Sequence, residues 1–108
     1  MLELDAWLEI AKSAALKGGK YLLENQGQEL KILLNKGRDI KLQLDTDTEK
    51  LIKDSLGSQS EFSILGEETG LSNDLGEFYW VVDPLDGTSN FLRDIPISCV
   101  SIALMQNL

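Results

Sequence analysis

Histidine is absent from this 108-residue chain, cysteine occurs once, and no apolar run reaches the roughly 18 residues that a membrane-spanning helix needs. Each shortage removes a class of chemistry. Without histidine there is no imidazole base and no Cys/His metal site, and with Cys99 alone there is no internal disulfide. Cys99 falls in the apolar run from Ile97 to Leu104 with nothing to activate it, so it is expected to be a buried structural thiol rather than a nucleophile. The N-terminus opens on Leu2, Glu3, Leu4 and Asp5, which lacks the basic start and apolar core of a signal peptide. A cytoplasmic location is the resulting expectation.

Basic residues are the other scarcity. The net charge is −8, and the second half of the chain, from Ser55 to Leu108, holds Arg93 as its lone basic residue. This excess of acid argues against nucleic-acid backbones and anionic membranes as partners. Acids without basic partners either face solvent or hold cations. What remains is ordinary for a globular chain: 43% hydrophobic, 26% charged, and long enough for one small domain over residues 1–108, with no internal repeat.

The periodicity of the apolar residues changes along the chain. Trp7, Ala11, Ala14, Gly18 and Tyr21 or Leu22 recur at spacings of three and four, which predicts a helix from about Leu4 to Glu24 with a stripe of small residues for packing. Leu30, Ile32 and Leu34, the turn Asn35-Lys36-Gly37-Arg38, and Ile40, Leu42 and Leu44 alternate as a half-buried hairpin would. Thr46 followed by Glu49 reads as a capping box that starts a second helix with Leu51, Ile52, Ser55 and Leu56 inward. Phe62 to Leu65, Phe78 to Val82 and Ile97 to Met105 are short apolar runs of the kind that fill strands. Helices packed on a largely buried sheet make a layered α/β (α+β) architecture, in which ligands gather beyond the strand ends.

Two of those strand ends carry acids: Glu67 and Glu68 after Leu65-Gly66, and Asp83 and Asp86 after Val82. If the strands are neighbours, four carboxylates converge, and such a cluster calls for a compensating divalent cation. With only oxygen ligands to offer, the site favours Mg²⁺, Mn²⁺ or Ca²⁺ over zinc or copper. Pro84 restricts the backbone between the aspartates and leaves the Leu85 carbonyl available as a ligand. Gly87 permits close approach, and Thr88, Ser89 and Asn90 suit a helix start, where a phosphate is readily bound. An EF-hand loop is excluded, because the positions that would need acids before Gly87 include Val82 and Pro84. Pro84 in the place of its nucleophile argues against a covalent aspartyl mechanism on this motif.

The residues Gly66-Glu67-Glu68 together with Trp80-Val81-Val82-Asp83-Pro84-Leu85-Asp86-Gly87-Thr88-Ser89-Asn90-Phe91 resemble the signature of the inositol monophosphatase family of metal-dependent, lithium-sensitive phosphatases. The likeness runs back to Asp45 and forward through Ile95-Pro96 into the last strand. It implies the αβαβα sandwich of that family, of which this chain would be a truncated N-terminal part. It also implies roles. Glu67, Asp83 and the Leu85 carbonyl would hold one Mg²⁺, and Asp83 and Asp86 would share another. The Gly87 and Thr88 amides would receive the phosphate, while the Thr88 hydroxyl, paired with Asp45, would orient and deprotonate the attacking water. Glu68 follows the motif without an assigned role.

The implied activity is Mg²⁺-dependent hydrolysis of a small phosphate monoester, inositol 1-phosphate foremost, by direct attack of metal-activated water. A bisphosphate nucleotidase or sugar phosphatase of the same superfamily is the alternative, as is a catalytically inactive fragment that only binds metal or self-associates. Many relatives are homodimers, and the resemblance extends that expectation here. One departure stands out: Leu42 occupies the place where many members carry threonine.

Overall fold

The computed structural model describes residues 3–28, 32–36, 39–71 and 76–106. The first helix, α1, runs Leu4–Asn25 and buries Ala14, Gly18 and Leu22, the stripe its spacing predicts. The reason for the small residues is α2, Gln43–Gln59, which packs directly against it. A Cβ at Gly18 would stand 2.9 Å from Cδ1 and Cγ1 of Ile52, so the two helices meet at a distance that a larger residue would not allow.

Between them lies an antiparallel ladder of β1, Ile32–Lys36, and β2, Asp39–Leu42, with an irregularity between Ile32 and Leu34. The expected hairpin is present, but Asn35 and Lys36 belong to its first strand, and Ile32 is exposed rather than half-buried. Leu30 and the turn residues 37–38 lie outside the described residues, as do the side chains of 34–36 and 39–41. Leu44 is helical: α2 starts at Gln43, ahead of the Thr46 cap read from the sequence. The cap is half of a reciprocal pair. Leu42 offers no side-chain acceptor, but its N–H donates to Asp45 Oδ2 at 3.1 Å, which ties the first turn together.

A second sheet has the order β4-β3-β5-β6, formed by β3 (Ser63–Gly66), β4 (Gly70–Leu71), β5 (Phe78–Asp86) and β6 (Cys99–Gln106). β3 and β5 are parallel, with Ile64 opposite Trp80 and Gly66 opposite Val82, whereas β4 and β6 flank them antiparallel. Ala14, Ile52, Leu56, Ile64, Trp80 and Val82 form one core cluster that joins α1 and α2 to one face of this sheet. Each large side chain buried there stabilises the fold by about 1.5–3 kcal/mol. At the N-terminal end of the parallel pair, Trp7, Phe62 and Phe78 pack edge-on and tilted with ring centroids 5.1 to 5.6 Å apart, and the Trp80 indole donates to Ser60 Oγ at 2.9 Å.

Two expectations are corrected. β5 does not end at Val82 but continues through Pro84 to Asp86, tolerating proline because its pairing with β6 is irregular between Asp83 and Asp86. Cys99 is exposed rather than buried, because β6 is an outer strand of the described sheet and Cys99 begins it. No helix among the described residues is long and apolar enough to cross a membrane.

The close helix contact yields a test. Gly18→Val is expected to destabilise the fold by about 1–3 kcal/mol through overpacking. Combined with Ile52→Ala, it should cost less than the two changes summed, as read by urea denaturation in a double-mutant cycle. Strict additivity would show that the contact is not a limiting one.

Candidate metal and phosphate site

Parallel pairing brings the two acidic segments side by side. Gly66 stands opposite Val82, and the Glu67 N–H then donates to the Val82 carbonyl at 3.1 Å, so Glu67 and Asp83 leave the paired region at the same level. The backbone is therefore arranged as the neighbouring-strand condition requires. The side chains are less gathered than the sequence suggests. Among the described residues, no group of three or more acidic or thiol side chains stands close enough to hold an ion jointly.

Local hydrogen bonding accounts for part of that difference. The turn after Glu67 is drawn toward α2: Glu68 N–H donates to Glu49 Oε1 at 2.9 Å and Thr69 N–H to Glu49 Oε2 at 2.6 Å. Asp83 Oδ1 accepts the Leu85 N–H at 3.2 Å, which holds that carboxylate to its own segment. Glu67 and Asp86 are exposed and Asp83 is half-buried. Carboxylates this close along the chain also repel one another.

Beyond Asp86 the backbone is dictated by glycine. Gly87 has φ +92°, and a Cβ there would lie 2.7 Å from the Ile97 carbonyl oxygen and 3.2 Å from Ser98 Cα. The short helix α3, Thr88–Leu92, follows at once. Thr88 Oγ1 donates to the Leu85 carbonyl at 3.2 Å, which leaves that carbonyl a second lone pair. Asn90, read from sequence only as a helix starter, secures the returning loop: its Nδ2 donates to the Ile97 carbonyl and its own carbonyl accepts the Ile95 N–H, both at 2.8 Å.

The first turn of α2, which carries Asp45, is set against this segment by packing. Leu42 and Leu44, on either side of the α2 start, join Leu22, Leu85 and Phe91 in a second core cluster, which sets the first turn of α2 against the segment around α3. Asp45 itself is 1% exposed. The residue that sequence reasoning misplaced is Glu49. It is not a cap but a fully buried carboxylate in mid-helix, and the available signal was its helical spacing with the inward Ile52 and Leu56.

The chain as a whole is similar to known proteins. The model of the Inositol monophosphatase family matches residues 3–107. A protein of Aquifex aeolicus named fructose-1,6-bisphosphatase/inositol-1-monophosphatase is 38% identical over 109 residues, covering 98% of this chain and 41% of that protein. The Nus factor SuhB of Xylella fastidiosa is 40% identical over 103 residues, covering 93% of this chain and 37% of its own length. The crystal structure of the suppressor protein suhB from Bartonella henselae superposes with a TM-score of 0.83 at 35% identity, over 92% of this chain and 40% of that one. That of inositol monophosphatase from Anabaena gives 0.74 at 33%, over 97% and 37%. The chain thus spans well under half the length of each of these relatives.

Gly87→Ala is expected to cost about 1–3 kcal/mol, because φ is positive there and the added methyl meets backbone that cannot yield cheaply. Chemical denaturation would measure it, with amide exchange at Phe91 and Ile95 rising in the variant. An unchanged stability would show that the left-handed turn is not required.

Proposed function

The chain belongs to the inositol monophosphatase family, and from that premise we propose that the protein carrying it is a Mg²⁺-dependent phosphomonoesterase whose first substrate class is an inositol monophosphate. The observation that supports the reading most directly is the register of β3 on β5, which sets Glu67 beside Asp83 at one end of the sheet. The donor set fits a hard divalent cation: carboxylates of Glu67, Asp83 and Asp86 and the Leu85 carbonyl are all oxygen, and the chain contains no histidine. A bound divalent ion supplies Lewis-acid activation of water and neutralises charge on the leaving oxygen.

The chain's own residues would do the rest. The Gly87 and Thr88 amides, at the start of α3, would receive the phosphate. The Thr88 hydroxyl and the Asp45 carboxylate would orient the attacking water and accept its proton. A small polar phosphate ester suits these groups, and the acid excess after Asp54 discourages polyanionic partners such as nucleic acid. The 1–108 segment would be the N-terminal part of the phosphatase domain, with the remaining substrate contacts outside it.

In the full-length protein, Asp83→Asn is expected to abolish Mg²⁺-dependent phosphate release while leaving the circular dichroism spectrum unchanged. Phosphate release from inositol 1-phosphate, a nucleotide 3′-phosphate and a sugar bisphosphate, assayed side by side with and without EDTA, would assign the substrate class. Activity that survives Asp83→Asn, or that EDTA leaves intact, would overturn the ligand assignment.

A further inference from the structure

Glu49 has no place in the chemistry described so far, yet among the described residues it is one of the most deeply buried charged side chains, at 0% exposure. A buried carboxylate is costly unless donors surround it. Its donors come from one short segment nineteen and twenty residues away: the Glu68 N–H at 2.9 Å on Oε1 and the Thr69 N–H at 2.6 Å on Oε2. Hydrogen bonds to an ionised acceptor are about twice as strong as neutral ones, and two on one carboxylate fix direction as well as distance.

Two further observations converge on the same segment. A Cβ at Gly66 would lie 2.5 and 2.6 Å from the Glu49 oxygens, so the carboxylate occupies the space that this glycine leaves open. One turn further along α2, Lys53 Nζ donates to the Gly70 carbonyl at 2.8 Å. Glu49 and Lys53, four apart on one helix face, thus hold three consecutive residues, Glu68, Thr69 and Gly70, where the link from β3 enters β4. The acid takes its N–H groups and the base gives to its carbonyl.

We propose that Glu49, seconded by Lys53, is the positioning residue for Glu67: it locks the Gly66–Gly70 link to α2 and so fixes where the Glu67 carboxylate is presented beside Asp83. The inference rests on the proposed metal role of Glu67. It assigns Glu49 no contact with substrate or ion. Gly66 is then required not for backbone freedom but to make room for the carboxylate that holds the next residues.

The test uses the full-length protein with Mn²⁺ as the probe, its affinity measured by electron paramagnetic resonance, alongside amide exchange at Glu68 and Thr69. Glu49→Gln keeps the shape and one acceptor but turns an NH2 donor toward the other backbone N–H, so the two-oxygen grip cannot be kept. It is expected to weaken Mn²⁺ binding by about 10–100-fold, the usual effect of losing a group that orients a ligand, and to speed exchange at both amides. Gly66→Ala should reproduce the loss from the other side of the contact. Leu56→Ala, a core truncation lower in the same helix, should lower stability with Mn²⁺ affinity unchanged. Parental affinity in Glu49→Gln, or an equal loss in Leu56→Ala, would overturn the positioning role. Failure of the parent protein itself to bind Mn²⁺ would instead overturn the metal reading of Glu67, and this role of Glu49 with it.

Discussion

The parallel pairing of β3 with β5 is the constraint on which the rest depends. Two strands that run the same way carry the residues beyond their paired stretch to the same side, and here those residues are acidic: Gly66 meets Val82, and Glu67 and Asp83 follow. Parallel pairing cannot be made by a tight hairpin and must be held from outside. In this chain the aromatic contacts of Trp7, Phe62 and Phe78 hold one end of the pair and the grip of α2 on the β3–β4 link holds the other. The helix layer over Ile64, Trp80 and Val82 fixes the face between.

Much of this was legible in the sequence, and the reasons are physical. The stripe Ala14, Gly18, Leu22 is written at helical spacing because α1 must meet Ile52 closely. The short apolar runs around Ile64 and Trp80 announce strands because a residue covered on the sheet's inner face has to be apolar. The Asp83-Pro84-Leu85-Asp86-Gly87 segment stands out because two acids and a glycine directly follow an apolar run, and in the structure that glycine lies where Ile97 and Ser98 crowd the chain.

What the sequence hid depends on partners distant in the chain or on backbone atoms that carry no side-chain signature. The start of α2 was misplaced because the usual Thr46 and Glu49 pattern is present while the true cap uses the Leu42 N–H, which any residue but proline possesses. In exchange for a side-chain cap, Leu42 contributes a fully buried apolar group to the cluster with Leu85 and Phe91. The length of β5 was underestimated because proline normally ends a strand, and the irregular pairing with β6 that admits it is visible only in three dimensions. Cys99 was judged by its apolar neighbours in sequence, whereas exposure is decided by strand order. The convergence of four carboxylates was inferred from strand adjacency alone, and the backbone meets that condition while the side chains take local partners.

The single helix α2 carries Asp45 at its first turn, Glu49 one turn on and Lys53 one turn beyond that. Removing one residue between Asp45 and Lys53 would rotate one part of that face against the other by about 100°, since the helix turns once in 3.6 residues. The phase of this helix is therefore inherited as a unit: its sequence can drift on the solvent side, but its length between those positions cannot change without uncoupling the buried Asp45 at the first turn from the contacts of Glu49 and Lys53 with the β3–β4 link.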